Sequence, residues 1–108
     1  MAENCVQVVT TTESREKADR LASSAVESRL AACAQVIGPI TSTYWWQGRV
    51  EAATEWVCIL KTTAVRSDEL MAHLRQEHTY DTPEIVAIPI VGGNPGYLSW
   101  IARETGQR

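Results

Sequence analysis

The chain has 108 residues, a net charge of −3, 44% hydrophobic residues and 21% charged residues, which bounds it to a single domain over 1–108 with a modest core. The acidic balance and the lack of a Lys/Arg cluster count against nucleic acid, whose phosphates need neutralising cations. No apolar run nears the roughly 20 residues that cross a bilayer, so no membrane partner is expected.

Residues 5–11, CVQVVTT, alternate and are β-branched, which predicts a first strand. Ser14 is placed to cap a helix with Glu16 in its first turn. Ala18, Leu21, Ala22, Ala25, Val26 and Leu30 recur at helical spacing and predict a buried stripe to about residue 31. Ala32 to Ile37 is a second extended segment, and Gly38-Pro39 bends or bulges it. From about Thr41 to Thr63 the sequence TSTYWWQGRVEAATEWVCILKTT predicts a long hairpin turning at Gln47-Gly48, where Gly48 can supply a positive φ.

With Gln47 and Gly48 as the loop, Trp46 faces Arg49, Tyr44 faces Glu51 and Ser42 faces Ala53. Tyr44, Trp46, Arg49, Glu51 and Glu55 then share one face, and Trp45, Val50, Trp56, Cys58 and Leu60 the other. Three tryptophans on so long a projection imply a cover from another subunit; packing within the chain is the alternative.

Ser67 reads as the cap of a second helix with Val65, Leu70, Met71 and Leu74 on its apolar side, ending near His78. Thr79 to Pro83 is a loop, because the residue before proline avoids helix and Pro83 cannot donate. Glu84 to Val91 is a last strand in which Pro89 demands an edge or a bulge. The cluster Gly92–Gly96 is a turn, followed by a short helix over Tyr97 to Glu104. The order β-α-β-β-α-β plus a terminal helix predicts an α+β, ferredoxin-like sandwich with two helices on one sheet face and an open second face, which self-association would cover.

Three cysteines, Cys5, Cys33 and Cys58, show no CxxC pair, and the amino-terminal MAENC has no signal-peptide pattern. Both features fit a reducing cytoplasm. Lys61, His78, Tyr80 and Glu84 sit at strand and helix ends, where they could bind an anion or metal or do acid–base work; a structural ion pair beside a bonded histidine is the alternative. Cys33, Cys58, His73 and His78 have the chemistry to hold copper or zinc, but their spacing carries no metal signature. The segment GGNPG lacks the Lys-Ser/Thr of a P-loop, and no serine or cysteine triad is visible.

The runs Leu30-Ala-Ala-Cys-Ala34, Tyr44-Trp-Trp-Gln-Gly-Arg-Val-Glu51, Ile59-Leu-Lys-Thr-Thr63, His78-Thr-Tyr-Asp-Thr-Pro-Glu84 and Tyr97-Leu-Ser-Trp100 closely resemble the CutA divalent-cation tolerance family along the whole chain. The resemblance implies a ferredoxin-like homotrimer with long hairpins laid onto neighbouring subunits. It also implies a cytoplasmic role in tolerance of copper or another divalent cation, with no catalysis and no organic cofactor. Its architecture is similar to the PII signalling proteins, which makes a small-molecule sensor the alternative. By matching position, Cys33 and His78 are the implied metal residues. Tyr44, Trp46, Glu51, Lys61, Tyr80, Glu84, Tyr97 and Trp100 are implied to line a pocket between subunits. Some members carry a histidine where this chain has Glu77, which weakens a soft copper site and suits a harder ion.

Overall fold

Alternating strands and helix-period stripes order the chain as β1 (Cys5–Thr12), α1 (Arg15–Glu27), β2 (Cys33–Trp46), β3 (Arg49–Thr63), α2 (Ala64–Glu77), β4 (Ile85–Ile90) and α3 (Pro95–Thr105). The computed structural model describes residues 4–106. Residues 1–3, part of the stretch read as free of a signal peptide, and 107–108 lie outside the described residues. The sheet runs β2-β3-β1-β4 with every neighbouring pair antiparallel, the ferredoxin-like arrangement. Pro89 lies in β4, an edge strand, where a missing N–H is tolerated.

Strand alternation decides where the core sits. Val6 and Val8 of β1 and Cys58 and Leu60 of β3 point to one side of the sheet. There they pack with Leu21 and Ala25 of α1, Leu30, Ala31, and Leu70 and Leu74 of α2. A purely apolar cluster of this kind stabilises by burial alone, at about 25 cal/mol per Å². The thiol of Cys58 is pushed up to about 11 by that burial, and further by Asp19, so it stays neutral in the core.

Several element ends differ from expectation for local reasons. α1 stops at Glu27 because Arg29 adopts a left-handed φ of 66°. That turn is held from both sides: Arg66 Nη2 donates to the Arg29 carbonyl at 3.3 Å, and Arg29 Nη1 donates to Glu104 Oε1 at 2.7 Å. Val26 is consequently exposed rather than part of the stripe. α2 starts at Ala64, not Ser67, with Thr63 as its N-cap. The Ser67 hydroxyl instead donates back to the Ala64 carbonyl at 2.9 Å, the competing habit of serine inside a helix. Val65 is therefore in the first turn and 91% exposed. α3 starts two residues early: Pro95 occupies the first turn, and Asn94 Oδ1 accepts from the Gly96 N–H at 3.1 Å.

The hairpin register is the expected one, with Trp46 opposite Arg49, Tyr44 opposite Glu51 and Ser42 opposite Ala53. Gln47 and Gly48 both have positive φ, 51° and 79°, the primed turn that matches strand twist. β2 runs through the expected bulge at Gly38-Pro39 as one strand, its register shifted between Ile37 and Ile40. At that shift Gly38 lies against the Trp56 ring, and a Cβ there would sit 2.6 Å from Trp56 Cδ2. Arg15 stacks its guanidinium 5.7 Å from the centroid of the same ring. The chain measures 47 × 25 × 21 Å, and the hairpin tip carries Trp45, 75% exposed, and Trp46, 56% exposed.

Gly38→Ala should therefore destabilise by about 1–3 kcal/mol through overpacking against Trp56. Gly92→Ala, where nothing lies within 4 Å of the added carbon, should stay within about 0.5 kcal/mol of the parent. Urea denaturation of the two variants measures the contrast, and equal stability would remove the Gly38–Trp56 constraint.

Candidate functional site

The second face of the sheet has no helix pair over it. The register brings Val9, Val57, Ile59, Val86 and Ile88 onto this face, with Ile37 beside Val57. Ile37, Val86 and Ile88 are exposed. Among the described residues only one end is covered, where α3 packs Leu98 and Ile101 against Cys5, with Ala32, Ile90 and Trp100 packed around them.

Polar residues flank this apolar band in two groups. At the α3 end, Cys33 lies opposite Lys61 in the β2–β3 ladder. Its thiol is 3.3 Å from the Tyr97 hydroxyl, and Lys61 Nζ donates to Gln35 Oε1 at 2.7 Å. The Tyr97 and Trp100 rings stack with centroids 5.7 Å apart. The Tyr97 phenol is pushed up to about 12, first by the hydrogen bond with Cys33 and then by burial.

At the other end, Tyr80 donates its hydroxyl to Glu55 Oε2 at 2.9 Å. Burial, and then that carboxylate, raise the Tyr80 phenol well above its ordinary value. His78 caps the end of α2 and its ring lies 4.9 Å from that of Tyr80. The Tyr80 backbone N–H donates to His78 Nδ1 at 3.1 Å, so Nε2 carries the proton and donates to the Thr11 carbonyl at 2.8 Å. Tyr44, Glu51 and Trp46 extend this end along the hairpin. Glu84 immediately precedes Ile85, which pairs with Thr10 at the same end.

Of the quartet Lys61, His78, Tyr80 and Glu84, one chain brings together only His78 and Tyr80. Lys61 lies six positions beyond Glu55 along β3, roughly 20 Å of strand. Cys33 and His78 are likewise at opposite ends. Both His78 ring nitrogens are occupied by backbone groups, and among the described residues no three His, Cys, Asp or Glu side chains converge to hold a metal. A single chain therefore does not fit a divalent ion. His73, the other histidine, has its Nε2 2.7 Å from the Ser24 hydroxyl, tying α2 to α1. Two residues were missed: Gln35, which strand alternation places beside Cys33, and Glu55, whose partner Tyr80 comes from a loop with no pattern of its own.

Residues 6–104 match the family described as CutA1 divalent ion tolerance protein. The chain is 40% identical over 100 residues to the chloroplastic protein CutA 1 of Oryza sativa, covering 93% of this chain and 56% of that one. Thus it spans little more than half of that relative. It is 41% identical over 99 residues to the divalent-cation tolerance protein CutA of Thermus thermophilus, covering 92% and 96%. The crystal structure of CutA1 from Oryza sativa superposes with a TM-score of 0.94 at 37% identity, covering 99% of this chain and 98% of that one.

The Tyr97–Cys33 pair sets an alkaline signature. A phenol raised from 10 to about 12 favours the protonated folded state, so its stabilisation is complete below pH 10 and is lost as pH rises towards 12. Absorbance titration of phenolate should show a step near pH 12 that Tyr97→Phe removes. A step unchanged in that variant would contradict the assignment.

Proposed function

The chain belongs to the CutA1 divalent ion tolerance family, and from that premise we propose that it works as a homotrimer that binds divalent cations, copper first, at sites built between subunits. The observation that carries this reading is the open sheet face. An apolar band bordered by polar groups has the composition of an interface core with a wet rim. Copies packed around a threefold axis would cover Ile37, Val86 and Ile88. They would also bring the Lys61 end of one chain towards the Glu84 and Tyr80 end of the next.

Cys33 supplies the soft donor. Its half-buried thiol beside Lys61 suits a copper ion better than a hard cation would. His78 joins the ion only by giving up a backbone hydrogen bond, which makes it the weaker of the two ligands. Glu77, exposed beside it, offers an oxygen in place of a second nitrogen. The function proposed is binding without a catalytic step, in a reducing cytoplasm that keeps the cysteines as thiols rather than disulfides. The pocket between subunits, walled by Tyr44, Trp46, Glu51, Lys61, Tyr80, Glu84, Tyr97 and Trp100, is also the place for a small-molecule ligand in a PII-like role. Lys61 would be its anion-binding group.

Light scattering should give three times the 11.9 kDa chain mass. Ile88→Asp, which sets a charge in the apolar band, should shift the protein towards monomer. A monomeric parent would sink the proposal. Copper titration of the assembled protein should saturate, with Cys33→Ser weakening binding by tenfold or more, a loss of about 1.4 kcal/mol, and His78→Ala by less. Affinity unchanged in both variants would remove these residues from the site.

A further inference from the structure

A second concavity lies away from the open sheet face. Thr12, Lys17, Arg20, Leu21, Glu77, His78 and Thr79 line a cleft of about 110 Å³ where the first half of α1 meets the end of α2. Its floor is Leu21 with Thr12, which is only 1% exposed. The Thr12 hydroxyl makes no hydrogen bond with any described residue. His78 adds a wall but no free nitrogen, since both its ring atoms serve the backbone.

The charges are arranged across the cleft. Lys17 comes from the first turn of α1 and Arg20 from its middle. Glu77 is the last residue of α2, where the helix dipole is negative. The two walls thus carry opposite side-chain charge. Glu77 has no ion-pair partner among the described residues, so it would repel a simple anion. Lys17 pairs with Glu13 at 2.5 Å and Arg20 with Glu16 at 2.6 Å. Such exposed pairs are weak enough for either cation to be shared with an incoming carboxylate. The cleft is small and open to solvent on one side, so it suits only a small solute.

We propose that this cleft binds a small zwitterion of the α-amino-acid class. Its carboxylate lies against Lys17 and Arg20, its ammonium against Glu77, and its methyl-sized side chain over Leu21. The Thr12 hydroxyl at the floor offers it a hydrogen bond. The cleft is on the helix layer, away from the open sheet face; it shares Glu77 and His78 with the divalent-ion reading, so it is tested in metal-free protein, where only the zwitterion can fill it.

The test is a ¹⁵N chemical-shift titration of the full chain with L-alanine, against acetate and methylammonium added separately. Saturable shifts confined to the amides of Thr12, Lys17, Leu21, Glu77 and Thr79 are expected with alanine alone. Glu77→Gln and the isosteric Thr12→Val should each weaken binding, the former about tenfold or more, with the remaining spectrum unchanged. Three results would overturn the proposal: no saturable shift, equal shifts from acetate, which would make this an anion site, or full affinity in Glu77→Gln.

Discussion

Everything in this molecule depends on an asymmetry of cover. A β-sheet has two faces, and side chains alternate between them with a period of two. Here both long helices lie over one face and sequester Val8, Leu60, Cys58 and their neighbours. The other face is built from the same strands with the same β-branched residues, yet receives only α3 at one end. A row of exposed isoleucine and valine is costly in water, and the described residues place no further layer on it.

That uncovered face also explains why the polar residues form no site by themselves. Lys61, Cys33 and Tyr97 gather where α3 docks, while Tyr80, Glu55 and His78 gather where the hairpin leaves the sheet. β3 holds the two groups apart as a rigid spacer. Each is locally satisfied: Lys61 by Gln35, Tyr80 by Glu55, His78 by two backbone groups. In the proposed trimer a second chain would supply the opposite end, which would reconcile a family named for ion tolerance with the lack of three convergent metal donors among this chain's described residues.

The elements governed by periodicity were legible in the residues alone. Alternation gave β1 and the hairpin register down to the Gln47-Gly48 turn, and the apolar stripe gave α1 and α2. What alternation could not convey was competition at the ends. Ser67 looks like a cap and instead bonds back to Ala64; Arg29 enters a left-handed turn fixed by Arg66 and Glu104, partners 37 and 75 residues away. The site was legible as a set of residues and illegible as a geometry. His78 reads as an available imidazole until the fold aims the Thr11 carbonyl and the Tyr80 N–H at its two nitrogens. Gly38 shows the same limit: proline beside it signals a bend, but only the tertiary approach of Trp56 means that a side chain there would force the ring or the backbone to shift.

The most direct measurement is an isotope-filtered NOE experiment on protein reassembled from differently labelled chains. Contacts between the methyl groups of Ile37, Val86 or Ile88 in one chain and protons of another are predicted, because the proposed assembly sets copies against the open face. Methyl groups that show only contacts within their own chain, in a sample that is nonetheless oligomeric, would contradict the central role given to that face.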